Sequence, residues 1–189
     1  MPMPTTTARL DIEPLRAAHA PLLFPVLADP RIYRYVPDEV HPTLDSLANR
    51  FARLERGAPA GSRECWLNWV LRRADTSAYI GTLQATVTPG SHAYIGYVLG
   101  PPDWGQGFAT EACAWLVAEL QMRFSLGEIL ATVDVRNLAS IRVLERLGFR
   151  SLGKEPAEIR GERTTDYRYR LACGSAAGGP SGVANQRRV

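Results

Sequence analysis

The sequence is short of the features that would organise a chain around metal, disulfides or a membrane. Its three cysteines, Cys65, Cys113 and Cys173, are an odd number without CxxC or metal-ligand spacing, so neither a disulfide framework nor a zinc site is supported, and Cys113 reads as a core residue. No run of about 18 apolar residues occurs, and the opening Met1-Pro2-Met3-Pro4-Thr5-Thr6-Thr7 lacks the charged and apolar regions of a secretory signal. A cytoplasmic protein without membrane contact is expected. An excess of one charge is missing as well: the net charge is only +3 and the arginines are spread along the chain. That argues against a basic stripe for nucleic acid and leaves a small polyanion as a compatible ligand. What is present is 46% hydrophobic against 22% charged residues in 189 positions, enough for the core of one enzyme-sized domain. We expect a flexible N-terminus over residues 1–8, one domain over 9–172 and a disordered tail over 173–189, where Gly, Ser and Ala dominate.

Periodicity divides the chain into elements. Leu10 to Leu15 alternates as a strand, Arg16 to Leu27 has helical spacing, and Arg31 to Val36 is a tyrosine-rich connector between Pro30 and Pro37. Leu44, Leu47, Phe51 and Leu54 mark a helix from Thr43 to Arg56 with Gly57 as its C-cap signal. Trp66–Leu71, Tyr79–Val87 and Ala93–Leu99 follow as strands joined by short turns, which predicts an antiparallel meander. Ala109, Ala112, Cys113, Leu116, Val117, Leu120 and Phe124 then mark one helical face, and Glu128–Val135 is a buried-looking strand. A strand, a glycine loop, a helix and a strand predict a right-handed crossover with two parallel strands. Asn137 to Leu147 is a further helix ending at Gly148, and Phe149–Leu152 and Thr165–Leu171 are the last strands.

The loop carries the chemistry. Gly105 and Gly107 open into a helix, where free backbone amides and the helix dipole suit a pyrophosphate. A P-loop would need a Lys followed by Ser or Thr after the last Gly, and a dinucleotide site a third Gly where this chain has Thr110. Both fit poorly. The register Trp104-Gly105-Gln106-Gly107-Phe108-Ala109 instead resembles the acyl-CoA loop of the GNAT superfamily. Tyr94-Ile95-Gly96-Tyr97-Val98-Leu99 is similar to that family's strand entering the loop. Asn137-Leu138-Ala139-Ser140-Ile141-Arg142-Val143-Leu144-Glu145-Arg146-Leu147-Gly148-Phe149 resembles the second motif of the branch that includes the ribosomal-protein N-terminal acetyltransferases. Two motifs in order, about 30 residues apart, are more specific than either alone.

The resemblance implies an α/β (α+β) GNAT fold, a mixed central sheet of about six or seven strands flanked by about four helices. It implies an N-acetyltransferase using acetyl-CoA as co-substrate and no metal, with an amine acceptor and a homodimer as a candidate assembly. The competing reading is a coenzyme-A-binding regulatory module without transfer activity. Implied coenzyme contacts are Val98, Leu99, Trp104, Gly105, Gln106, Gly107, Phe108, Ala109, Thr110, Asn137 and Ser140; the Trp104 ring is expected to pack beneath the loop. Ser140 is the catalytic candidate, a donor to the coenzyme A sulfur or a first-turn serine satisfying the helix end. Asn137 suits an N-cap and a pantetheine contact at once. Tyr33, Tyr35 and Tyr94 are candidate acceptor contacts, with Asp38, Glu39 and His41 beside the first two. Departures from the family pattern are Trp104 at a Gln or Arg position, Tyr94 where Glu is frequent, and Leu144 where many members carry a tyrosine acid. Glu111 is expected to serve the helix dipole, His92 to face solvent, and Arg142, Arg146 and Arg150 to form a solvated row.

Overall fold

Seven strands share one sheet in the order β1-β2-β3-β4-β5-β7-β6 in the computed structural model, which describes residues 6–174. β1 (Leu10–Pro14) leads through a 3-10 turn into α1 (Ala20–Leu27) and α2 (Leu44–Arg56). The connector expected as a loop coils into a 3-10 segment, Pro30–Tyr35, because Pro30 fixes the backbone and the Asp29 carboxylate accepts from the Arg31 amide. Thr43 caps α2 by accepting from the Ser46 amide, and Gly57 ends it at φ 79°. β2 (Cys65–Arg73), β3 (Tyr79–Thr88) and β4 (His92–Leu99) form the expected antiparallel meander. α3 (Phe108–Arg123) then crosses over to β5 (Glu128–Asp134), parallel to β4.

α4 (Leu138–Arg146) precedes β6 (Arg150–Ile159) and β7 (Glu162–Ala172), a hairpin much longer than the two short strands expected. Its turn is Arg160-Gly161, both at positive φ (50° and 82°), the backbone that suits a twisted two-residue turn. Residues 151–158 of β6 are almost all polar or exposed, so they show no apolar alternation and acquire strand structure by pairing with β7. Thr6 and Thr7, assigned to a flexible segment from sequence, belong to the fold. Thr6 bridges to Asp11, and the Thr7 hydroxyl donates to Glu111 at 2.6 Å. Residues 1–5 and the tail from 175 onward lie outside the described residues.

The core has two parts, one on each sheet face. α3 and α4 cover one face, and α3 is buried over a wider arc than its predicted stripe, with Trp115 edge-on to Trp69 at 5.4 Å. α1 and α2 cover the other face through Leu23, Leu47 and Phe51, which cluster with Val70 of β2. Among the described residues, no helix is long and apolar enough to cross a membrane.

The feature that positions a site is an incomplete ladder. β4 and β5 pair only at His92↔Glu128, Ala93↔Ile129 and Tyr94↔Leu130. Beyond that, β4 stays paired with β3 as far as Leu99, and β5 stays paired with β7 as far as Asp134. The two strands therefore diverge, and Ile95–Leu99 faces Ala131–Asp134 across a wedge. Gly81 shapes the upper arm, because a Cβ there would fall on the Val98 carbonyl oxygen and 3.0 Å from the Leu99 Cα. These are backbone atoms that cannot rotate away. Gly81→Ala should therefore destabilise the protein by about 1–3 kcal/mol, the usual penalty of overpacking, read as a lower midpoint in thermal denaturation. An unchanged midpoint would show that β3 and β4 are not held this close.

Candidate active site

The loop between β4 and α3 uses the amides of Gly100, Asp103 and Trp104 within the fold and leaves those after Trp104 unused. Gly105 (φ 73°) and Gly107 (φ 85°) take left-handed backbone that side chains disfavour, and Gly107 is the N-cap of α3. The next amide to be satisfied after that of Trp104 is that of Glu111, which donates to the Gly107 carbonyl. Those of Gly105 to Thr110 have no acceptor among the described residues. A run of convergent amides at a helix start is an anion site. The loop is braced from behind: Arg9 donates to the Gln106 carbonyl at 2.9 Å, and the Phe108 ring lies between the Arg9 and Arg73 guanidinium groups. Arg73 also pairs with the buried Asp103 at 3.1 Å. Glu111 is committed to this brace. Burial alone would raise its pKa, but bonds from Thr7 and Arg9 outweigh that and hold the carboxyl below its ordinary value.

Above the loop opens a cavity of about 570 Å³. Val98 and Leu99, Trp104, Gly105, Gly107, Phe108, Ala109 and Thr110, and Asn137 and Ser140 all line it, together with Arg142 and Arg146. Two expectations need correction. The Gln106 side chain turns away and donates to the Pro102 carbonyl at 2.7 Å, so only its backbone belongs to the loop surface. Trp104 does not pack beneath the loop: it is 48% exposed, and its indole N–H donates to the Leu99 carbonyl at 2.7 Å, tying the loop to the end of β4. Phe108, by contrast, is buried, so its ring supports the loop while its amide belongs to the free row.

A second cavity, of about 350 Å³, lies between the 3-10 segment with α2 and the sheet. The two cavities meet at Tyr35, Val36, Tyr97, Val98, Asn137 and Ser140. Tyr35 stands at this junction with Arg136 over its ring at 5.6 Å. Tyr33 contributes only a wall, since its hydroxyl donates to the Leu27 carbonyl at 2.7 Å in the core. Tyr94 lines neither cavity: it pairs with Leu130 where the strands are still joined and is 45% exposed. His92 sits two residues earlier, 3.7 Å from Glu128. Asp38 and His41 do line the second cavity, with Asp38 held by Arg50 at 2.7 Å.

α4 carries no tyrosine at position 144. Leu144 is buried against the second cavity, and two phenols reach this helix from the sheet: Tyr97 of β4 donates to the Ser140 carbonyl at 3.2 Å beside the cavity, and Tyr169 of β7 donates to Glu145 at 3.2 Å. Burial raises the Tyr97 pKa well above that of a free phenol. Asn137 caps α4 by accepting from the Ser140 amide at 3.2 Å, while the Ser140 hydroxyl makes no hydrogen bond among the described residues. Tyr97 was missed in sequence because alternation assigns it a face without showing that the strand splays there. Three further residues were missed because their positions depend on strand pairing. Arg160, at the hairpin tip, donates to the carbonyls of Tyr33 (2.6 Å) and Val36 (3.0 Å) and so fastens the wall of the second cavity. Asp134 accepts from Arg136 and Thr164, and Asp166 lies beside it in the lining.

A loop of free amides at a parallel crossover thus opens on a wedge between two splayed strands. Residues 9–150 match the model of the acetyltransferase (GNAT) domain, and the chain belongs to that family, an acyl-CoA-dependent N-acetyltransferase. It is 28% identical over 149 residues to the uncharacterized N-acetyltransferase YoaA of Bacillus subtilis, covering 78% of this chain and 82% of that one. In fold it is similar to the spermidine N-acetyltransferase of Vibrio cholerae solved with CoA and spermine (TM-score 0.74, 18% identity, 88% and 97% of the two chains). It is similar also to the ribosomal-protein-S5-alanine acetyltransferase of Vibrio fischeri (TM-score 0.75, 18% identity, 89% and 95%).

Two outcomes are expected. Gly107→Val places a branched side chain at positive φ in the anion loop, so acetyl-CoA binding measured by calorimetry should weaken at least tenfold; full affinity in a folded variant would move the phosphate site elsewhere. Asp134 is held down at about 2 by the Arg136 guanidinium first, then Thr164 and the Arg136 amide, against the burial that opposes them. Its folded pKa lies below the unfolded value of about 4, so its stabilisation is present above that value and is lost as pH falls towards 2. Asp134→Asn should melt earlier than the native protein at pH 7, with the gap closing on acidification. A gap independent of pH would contradict the pairing.

Proposed function

We propose that the chain moves an acetyl group from acetyl-CoA directly to a primary amine, a protein N-terminus or a small-molecule amine, with both substrates bound together. The observation that carries this reading is the meeting of two cavities at Tyr97, Val98, Asn137 and Ser140, one floored by free loop amides and one walled by α2 and its preceding segment. Acetyl-CoA supplies the activated thioester. The loop amides suit its pyrophosphate, and Arg142 and Arg146 on the rim add positive charge suited to its phosphates, whereas Arg150 lies outside the lining. The diverged edge of β4 at Val98 offers backbone groups to an extended ligand arm, as an added strand would find.

Catalysis then rests on alignment and on stabilising charge as it moves to sulfur. Ser140 serves twice: its amide completes the α4 cap and its hydroxyl is free to donate at the cavity junction. A thiol-release assay with acetyl-CoA against pooled peptides and amines tests the function, and no release with any acceptor would refute it. Ser140→Ala should lower turnover by about 10²-fold or more, the range of general-acid assistance, while the dissociation constant for acetyl-CoA stays the same. A variant that melts earlier but turns over normally would leave Ser140 a helix-end residue only.

A further inference from the structure

The second cavity is lined by three carboxylates, of which two are neutralised. Asp38 pairs with Arg50 at 2.7 Å, and Asp134, whose side chain is fully buried, takes Arg136 at 2.8 Å and the Thr164 hydroxyl at 2.6 Å. Asp166 has no ion pair among the described residues, and its Oδ1 is buried without a hydrogen-bond partner. Buried carboxylate oxygens are nearly always given a donor, since burial strips the water that would otherwise bind them. Here the described residues provide none. Strand register makes the deficit deeper: Asp166 on β7 stands directly opposite Asp134 on β5 and Glu155 on β6. The cations nearby are already engaged, Arg136 by Asp134 and Arg168 by Glu155 at 3.5 Å. From the α2 side the cavity presents Asp38, Arg50 and His41, and Arg50 is spent on Asp38.

We infer that Asp166 receives the acceptor, a cationic primary alkylamine, by binding its ammonium group and taking the proton that must leave before the nitrogen can attack. The inference rests on the amine transfer proposed above and names the substrate charge and the residue that meets it. The step is a single proton transfer: the ammonium N–H bond breaks, its electron pair stays on nitrogen as the nucleophilic lone pair, and the carboxylate becomes a carboxyl that later returns its proton to water. Direction of titration agrees with this use. Burial first, then the charges of Asp134 and Glu155, raise the Asp166 pKa against a smaller opposing effect of Arg136. A raised carboxylate is a better proton acceptor near neutral pH than an ordinary one. Apolar walls from Leu27, Leu47 and Phe51 suit the alkyl part of such an amine.

Asp166→Asn separates this role from a structural one. A folded-state pKa above the unfolded value means that Asp166 favours folding only while protonated, and this contribution is lost as pH rises through its folded pKa. At pH 8 the asparagine variant should therefore melt no earlier than the native protein. Acetyl-CoA affinity should be unchanged, calorimetric binding of spermine or n-butylamine should weaken at least tenfold, and kcat/KM for an amine that the native enzyme accepts should fall by about 10²-fold or more with loss of the acid limb of its pH profile. Asp166→Glu, which keeps the carboxylate, should restore part of the binding and the acid limb. Native-like amine binding and pH profile in Asp166→Asn overturn the inference. So does an early melt of Asp166→Asn that Asp166→Glu does not rescue, and so does a native protein that binds neither amine. Failure of the proposed function is distinct: the native protein would bind spermine, and lose that binding in Asp166→Asn, yet release no thiol.

Discussion

Between β4 and β5 the hydrogen-bond ladder ends at Tyr94 and Leu130, and nearly every other feature of the site follows from that ending. Two parallel strands held at their N-terminal halves and pulled apart by different neighbours must open towards their C-terminal ends. β3 holds one arm out to Leu99 and β7 holds the other out to Asp134. The wedge supplies what a continuous sheet cannot, exposed backbone on an interior strand and a passage between the two faces. Thr132 is exposed in the middle of β5, between buried neighbours, for this reason.

The elements at the mouth of the wedge line two separate cavities. The glycine loop and the start of α3 look into one cavity, held by Arg9, Arg73 and Glu111 from outside. The 3-10 segment and α2 wall the other, and Arg160 fastens that wall to the far hairpin through three carbonyl contacts. α4 closes the gap between them. Because the cavities share only a narrow set of residues, the transfer proposed above has one place for its reacting atoms to meet, and in that reading alignment there is the main catalytic resource, since no tyrosine stands at position 144.

Charge is distributed to match. Cationic side chains gather on the lining of the cavity above the loop, while the second cavity is the more acidic one, with Asp166 making no ion pair among the described residues. The arginines that could neutralise it are held by other carboxylates at short range. A cavity so arranged favours a positively charged guest and disfavours an anionic one.

By itself the sequence determined the glycine loop at the end of the fourth strand, the crossover helix with Cys113 in its core, the Asn137 cap and the place of Ser140 one turn into α4, because each depends on local backbone chemistry or on helical and strand period. It carried the two motifs of the family for the same reason. Tertiary structure alone decided which tyrosine of β4 reaches the cavities: Tyr94 and Tyr97 lie on one strand, but only the second lies past the point where pairing stops. It alone set Asp166 beside Asp134, two residues 32 positions apart that a hairpin and a register bring together. Alternation says which side chains share a face, whereas the partner across the strand is chosen by pairing over long separations, which no local pattern encodes.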